Sequence, residues 1–215
     1  MFRQDEKPIP IAEMVFASLF AALIAVGAYI SVPIPGSPVP IVLQNLFVLL
    51  AGLTLGWRWS AAAVGLYLFV GLLGLPVFSG GSGGIAHFLG PTGGYLVGFL
   101  VAAPLTGLIA NGNRRDPLHD NGTVRGTRRS LLRDIVAVVA GTAAVYAVGI
   151  PWLKAVTALS WTRAAAAGLI PFIAGDLLKA AAAVAALRLL SPAFRYAFGG
   201  RYAAEPPEST ENRAG

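Results

Sequence analysis

Six apolar blocks punctuate the chain, at 11–30, 41–56, 60–75, 93–110, 135–151 and 168–190. Each is read as a membrane-spanning helix. Several are shorter than the roughly 20 residues that cross a hydrocarbon core, so some helices are expected to stop partway and hand over to loops. Ile11 to Ile30 is longer than the apolar core of a signal peptide and is followed by no cleavage pattern, so it is read as a retained first span. The breaks between blocks carry as much information. VPIPGSPVP (Val32 to Pro40) has four prolines and is expected to be extended and stiff. GLPVFSGGSGGIAHFLGPTGGYLVG (Gly74 to Gly98) cannot be one helix, because glycine and proline cost about 1 and 3 kcal/mol per interior position. Lipid cannot satisfy free backbone groups, so this uncharged stretch must be shielded by protein or line a cavity.

Composition agrees with the pattern. The 215 residues are 56% hydrophobic and 12% charged, with mean hydropathy +0.69, far more apolar than a soluble domain. The expected architecture is an all-α integral membrane protein of about six helices, a single membrane domain over residues 1–200. The absence of cysteine excludes disulfides and thiolate chemistry. A net charge of +6 invites a nucleic-acid reading, but the basic residues flank the spans on one side. If the N-terminus is inside, that side holds thirteen Lys and Arg: Arg3, Lys7, Arg58, Arg114, Arg115, Arg125, Arg128, Arg129, Arg133, Arg188, Arg195, Arg201 and Arg213. The opposite loops hold Lys154 and Arg163. Both termini are therefore expected to be cytoplasmic, with no nucleic-acid partner. The loop 111–133 then reads as a basic cytoplasmic linker, and 203–215 as a disordered tail. Trp57 and Trp59 would anchor the inner interface, and Trp152 and Trp161 the outer one. A third external loop is expected around Trp152 to Ala167.

Asp176 and Lys179 are the only ionisable residues well inside a span. Such groups usually face the protein interior, pair, and mark function. Three residues apart on a helix they share a face, and with the helix starting near Gly168 the carboxylate would lie roughly 12 Å in. The bland alternative is an ion pair that only holds helices together. Pro171 and Gly175 just ahead are candidates for a kink. Ala17, Ala21 and Ala25 form a small-residue stripe on the first span, suited to close helix packing with a partner or within the chain. His87 has no neighbouring metal ligand in sequence and reads as a hydrogen-bonded neutral imidazole. Ser79 and Ser82 lack a base, and GGSGG lacks the strand, lysine and helix start of a phosphate cradle. No metal or cofactor is implied.

VPIPGSPVPIVLQNLFVLLAG (Val32 to Gly52), GLPVFSGGSGGIAHFLGPTGGYLVGF (Gly74 to Phe99) and GLIPFIAGDLLK (Gly168 to Lys179) together resemble BioY, the biotin-binding S component of energy-coupling-factor (ECF) transporters, over about residues 11 to 198. GPTGGY together with GD-x-x-K is the specific part. The resemblance implies a multi-pass protein of the cytoplasmic membrane that takes up biotin from outside. Its partners would be a coupling transmembrane subunit, docked on Ala17, Ala21 and Ala25, and two ATPase subunits. The chain itself has no GxxxxGK[ST] sequence. Biotin's ureido group would meet Asp176 and Lys179, its apolar body Phe78, Phe88 and Tyr95, with Gln44, Asn45, His87 and Thr92 as further polar contacts. Gly80, Gly81, Gly83 and Gly84 would admit the ligand to the backbone, or make the loop a lid. Ile173 and Ala174 depart from a more proline-rich approach to the GD element. The competing readings are a membrane-embedded enzyme using Asp176 and His87, an S component for another small vitamin, and a channel. A missing second acid or nucleophile argues against the first, and a missing ring of lining residues against the last.

Overall fold

The computed structural model describes residues 11–111 and 131–199, with side chains through residue 189. The first helix, α1, spans Ile11–Tyr29, about 28 Å at 1.5 Å per residue. Glu13, Ala17, Phe20, Ala21, Ile24 and Ala28 form its buried face at three- and four-residue spacing. Met14, Val15, Leu19 and Val26 on the other side are exposed and just as apolar, as a lipid-facing helix requires. The four prolines that follow prevent helix. The chain instead forms a small antiparallel hairpin, with β1 (Ser31–Val32) pairing with β2 (Ile41–Val42). Ile41 and Val42, expected in the second span, are thus strand residues.

The helix α2, Gln44–Leu72, would be about 43 Å long if straight. It is not straight. Gly56 has φ +75° and ψ −178°, a conformation open to glycine and strained for other residues. Gln44 Nε2 donates to Tyr67 Oη at 2.6 Å, whereas 23 residues of straight helix would separate them by about 35 Å. The chain therefore doubles back at Gly56 into two arms, 44–55 and 57–72. These match the second and third hydropathy blocks, with three of the four boundaries displaced by about three residues and the fourth by about one.

The Gly74 to Gly98 stretch breaks as its composition demands. A 3₁₀ turn at Ser79–Gly81 is closed by Phe78 N–H donating to Ser82 O at 2.8 Å, and a five-residue helix α3 (Gly84–Phe88) follows. Helix α4 (Gly93–Asn111) then runs between the arms of α2 and α5 (Leu131–Thr157). Backbones nearly touch along this seam. A Cβ on Gly107 would lie 2.6 Å from Gly56 C and Trp57 N, and one on Gly94 2.2 Å from Trp152 Cβ. Trp152 belongs to α5 rather than to an external loop, and its indole N–H donates to Gly90 O at 3.0 Å. The loop expected around Trp152 to Ala167 shrinks accordingly, because α6 (Trp161–Gly168) occupies most of its remainder, starting at Ser160, whose hydroxyl accepts from Arg163 N–H. Pro171 lies in a 3₁₀ turn, Ile170–Phe172, and α7 (Ile173–Gly199) begins after it. The proline thus ends one element instead of kinking the next.

Among the described residues five helical stretches are long and apolar enough to cross a membrane, one of them the whole of α2; the reversal at Gly56 divides that one into two shorter arms. The fold is that of a multi-pass membrane protein. The 112–130 part of the basic linker, the 203–215 tail and the terminal arginines lie outside the described residues.

Candidate functional site

A cavity opens among the hairpin, the start of α2, α4, α5 and α7, with about 530 Å³ of empty space when its mouth and the open solvent there are included. Val39, Pro40 and Val42 cover it from the hairpin. Tyr95, Leu96 and Phe99 of α4, Val145 of α5 and Phe172 ahead of α7 supply an apolar wall. Polar groups converge from four places: Gln44 and Asn45, Thr92 with Ser79, Tyr146, and the Asp176–Lys179 pair.

The later start of α7 changes where the charge sits. Asp176 lies in the first turn of α7, where the unpaired N–H groups of a helix start favour a carboxylate. Its Oδ1 accepts from Lys179 Nζ at 2.9 Å, and its Oδ2 accepts a hydrogen bond from the Tyr146 hydroxyl. Both members of the pair are buried, at 7% and 9% exposure. Tyr146 is braced edge-on by Tyr95, with ring centroids 6.3 Å apart at 89°. The Tyr95 hydroxyl donates to Gly168 O at 2.8 Å. A chain of contacts thus runs from the end of α6 through α4 and α5 to α7.

Six residues expected at the site, Asp176, Lys179, Tyr95, Thr92, Gln44 and Asn45, share this cavity. The aromatic and glycine residues of the loop do not line it. Phe78 is wholly buried beside Gly71, edge-on to Tyr67 (5.7 Å) and stacked on His87 (5.5 Å). His87 Nδ1 lies 2.9 Å from Ser82 Oγ and Nε2 3.2 Å from Thr92 Oγ1. It therefore braces the wall from behind, and burial holds its imidazole below the ordinary histidine pKa. Phe88 packs against the same apolar cluster. A Cβ on Gly83 would strike Leu75 O at 2.2 Å, so that glycine serves packing within the loop. Gly80, Gly81 and Gly84 have φ between +71° and +84°, so they serve turn formation. Ala17 and Ala21, at 5% and 7% exposure, face the chain's own core and Ala25 is half-buried; the exposed small positions on α1 are Ala12, Ser18 and Ala22.

Tyr146, Phe99 and Phe172 were not legible as site residues. Tyr146 does stand out in AAVYAVG as a hydroxyl in an aliphatic run, but only the fold shows which way it points.

The BioY family model matches residues 3–196. The chain belongs to the BioY family. Among its relatives are the probable biotin transporter BioY of Pyrococcus horikoshii, 40% identical over 80% of this chain and 91% of that protein, and the biotin transporter BioY of Thermotoga maritima, 37% identical over 82% and 95%. The biotin transporter BioY of Rhodobacter capsulatus is 43% identical over 75% and 83%. A crystal structure of the S component for biotin from an ECF-type ABC transporter superposes with TM-score 0.73 and 29% identity, covering 89% of this chain and 95% of that one. BioY membership thus rests on sequence over nearly the whole chain and on the fold together.

Proposed function

We propose that this chain captures biotin as the substrate-specific subunit of an ECF-type transporter and is a transport protein, not an enzyme. The observation that carries the reading is the cavity itself. It offers one internally paired charge, two neutral amides and an aromatic wall at one end of a membrane bundle. Biotin has matching parts: a neutral cyclic urea, an apolar thiolane and valeryl chain, and a carboxylate. Asp176, Lys179 and Tyr146 form the charged wall, and Tyr95, Phe99 and Phe172 the apolar rest for the ring and chain.

Equilibrium binding of radiolabelled biotin to the detergent-purified protein tests this directly. Saturable binding is expected, with unlabelled biotin competing and other vitamins failing to compete. Lack of saturable binding overturns the reading.

The remaining parts extend the same proposal. The Lys and Arg asymmetry supports cytoplasmic termini and a cavity facing outward from the cytoplasmic membrane; a reporter fused after Gly215 that is active only outside would reverse it. Energy would come from two ATPase subunits through a coupling transmembrane subunit on α1. Ala17 and Ala21 face inward, so the adjoining small positions, Ser18 and Ala22 with Ala25 at the border, would be the docking face for that partner. Ala22→Trp is expected to abolish co-purification with the coupling subunit and leave biotin binding intact, whereas Ala21→Trp should damage the fold.

A further inference from the structure

Asn45, the second residue of α2, lines the cavity at 5% exposure. Its Oδ1 has no hydrogen-bond partner and its Nδ2 makes no hydrogen bond among the described residues. The amide and carboxylate beside it are engaged. The neighbouring amide of Gln44 donates to Tyr67, and both oxygens of Asp176 already accept from Lys179 and Tyr146. A buried amide oxygen with no donor is unfavourable and rare. Because it faces the cavity, a ligand can supply what the protein does not.

The missing partner has a definite form. An asparagine amide presents an N–H donor and a C=O acceptor side by side, the pattern that reads a matching acceptor–donor edge on a planar heterocycle. Exchanging the two ends of the amide leaves that requirement unchanged. A carboxylate, with acceptors only, cannot satisfy both atoms. A cyclic urea can, because each of its edges places an N–H next to the C=O.

We infer that Asn45 is the specificity-determining residue of the site, pairing in bidentate fashion with one N–H/C=O edge of the ligand's cyclic urea. The inference rests on the biotin reading and deepens it: the urea is recognised by a neutral amide, and the Asp176–Lys179–Tyr146 group flanks it instead of supplying that pairing.

The test compares the native protein with Asn45→Leu, as purified full-length chains. The probes are biotin and its two derivatives methylated on one or the other ureido nitrogen. The native protein is expected to bind biotin and to bind one methyl derivative about thirtyfold more weakly. Asn45→Leu is expected to lose about thirtyfold in affinity for biotin, about 2 kcal/mol at 1.4 kcal/mol per decade. It should also bind biotin and that derivative nearly equally. Without ligand it should melt no lower than the native protein, since an unpartnered buried amide has been removed. Native affinity for biotin in Asn45→Leu, retained discrimination against the methyl derivative, or a lower melting temperature alongside weaker binding would each overturn the assignment. Failure of the native protein to bind biotin overturns the transport reading and this assignment with it, so the two failures are told apart by the native control.

Discussion

The bundle has an aromatic half and an aliphatic half, and they are built differently. Around the cavity the buried residues include Tyr67, Phe78, Tyr95, Phe99 and Phe172. At the other end they are chiefly alanine and leucine: Ala17, Ala51, Ala63, Ala137, Ala183, with Leu49, Leu53 and Leu187. Large flat rings placed edge-on leave concave space between them, whereas small residues let helices approach until backbones touch. The aliphatic end is also pinned by Arg188 Nη2, 3.3 Å from the wholly buried Asp134 Oδ2, across α7 and α5. The cavity therefore has an open rim toward the loops and a closed floor. A ligand held there cannot simply continue through the chain, which supports a capture subunit needing outside work over a pore.

The closed half is the easier to break. Gly107→Val puts a branched side chain where even a Cβ would lie 2.6 Å from the backbone at the Gly56 reversal. Backbone cannot yield as a side-chain tip can, so a loss of about 3 kcal/mol or failure to fold is expected. Thermal unfolding in detergent reads the effect. A variant as stable as the native protein would mean that the seam is looser than described.

The aromatic half should break in function before fold. Asp176→Asn and Lys179→Met each strand one buried polar partner, and each should cost about 3 kcal/mol in stability and at least about a hundredfold in biotin affinity. The double variant removes both charges, so it should recover most of the stability and none of the binding. Recovery of binding in the double variant would mean that the pair is merely structural.

These two halves were unequally legible. Hydropathy showed the spans because lipid demands long apolar runs regardless of which neighbour each helix meets. It placed a boundary near Gly56 but could not show the left-handed backbone there, or that Gln44 would meet Tyr67. Asp176 and Lys179 were visible because a charge within an apolar run is conspicuous on its own. Their place at the start of a helix was not visible, since a 3₁₀ turn at Ile170–Phe172 delays the start of α7. Phe78, Phe88 and His87 were expected in the pocket from the resemblance, yet the turn at Ser79–Gly81 sends them to the rear of the wall. Tyr146 went unnoticed because hydroxyls on apolar helices acquire meaning only from what lies across the interface.

Tyr146→Phe is a finer probe of the same half. It keeps the ring against Tyr95 and removes only the hydroxyl that donates to Asp176. Loss of one hydrogen bond to a charged acceptor predicts about tenfold weaker biotin binding, with little change in melting temperature. Equal affinity would show that Lys179 alone orients the carboxylate.

The smallest expected effect comes from His87, behind the aromatic wall. Burial lowers its pKa, so the folded protein resists protonation more than the unfolded chain, whose histidine titrates near 6.5. The stabilising contribution is therefore fully present above about pH 6.5 and is lost as pH falls through the lower folded value. Protonation also removes the ring nitrogen's ability to accept, so the contacts to Ser82 and Thr92 cannot both keep their present donors and acceptors. His87 is only half-buried, so the change in melting temperature between pH 7.5 and pH 5 should not exceed about 2 °C. His87→Gln keeps a polar group of similar reach without titrating, and it should flatten that part of the pH profile. The aliphatic half contains no histidine among its described residues, so a pH slope that survives His87→Gln would mean that the titrating group lies outside the wall.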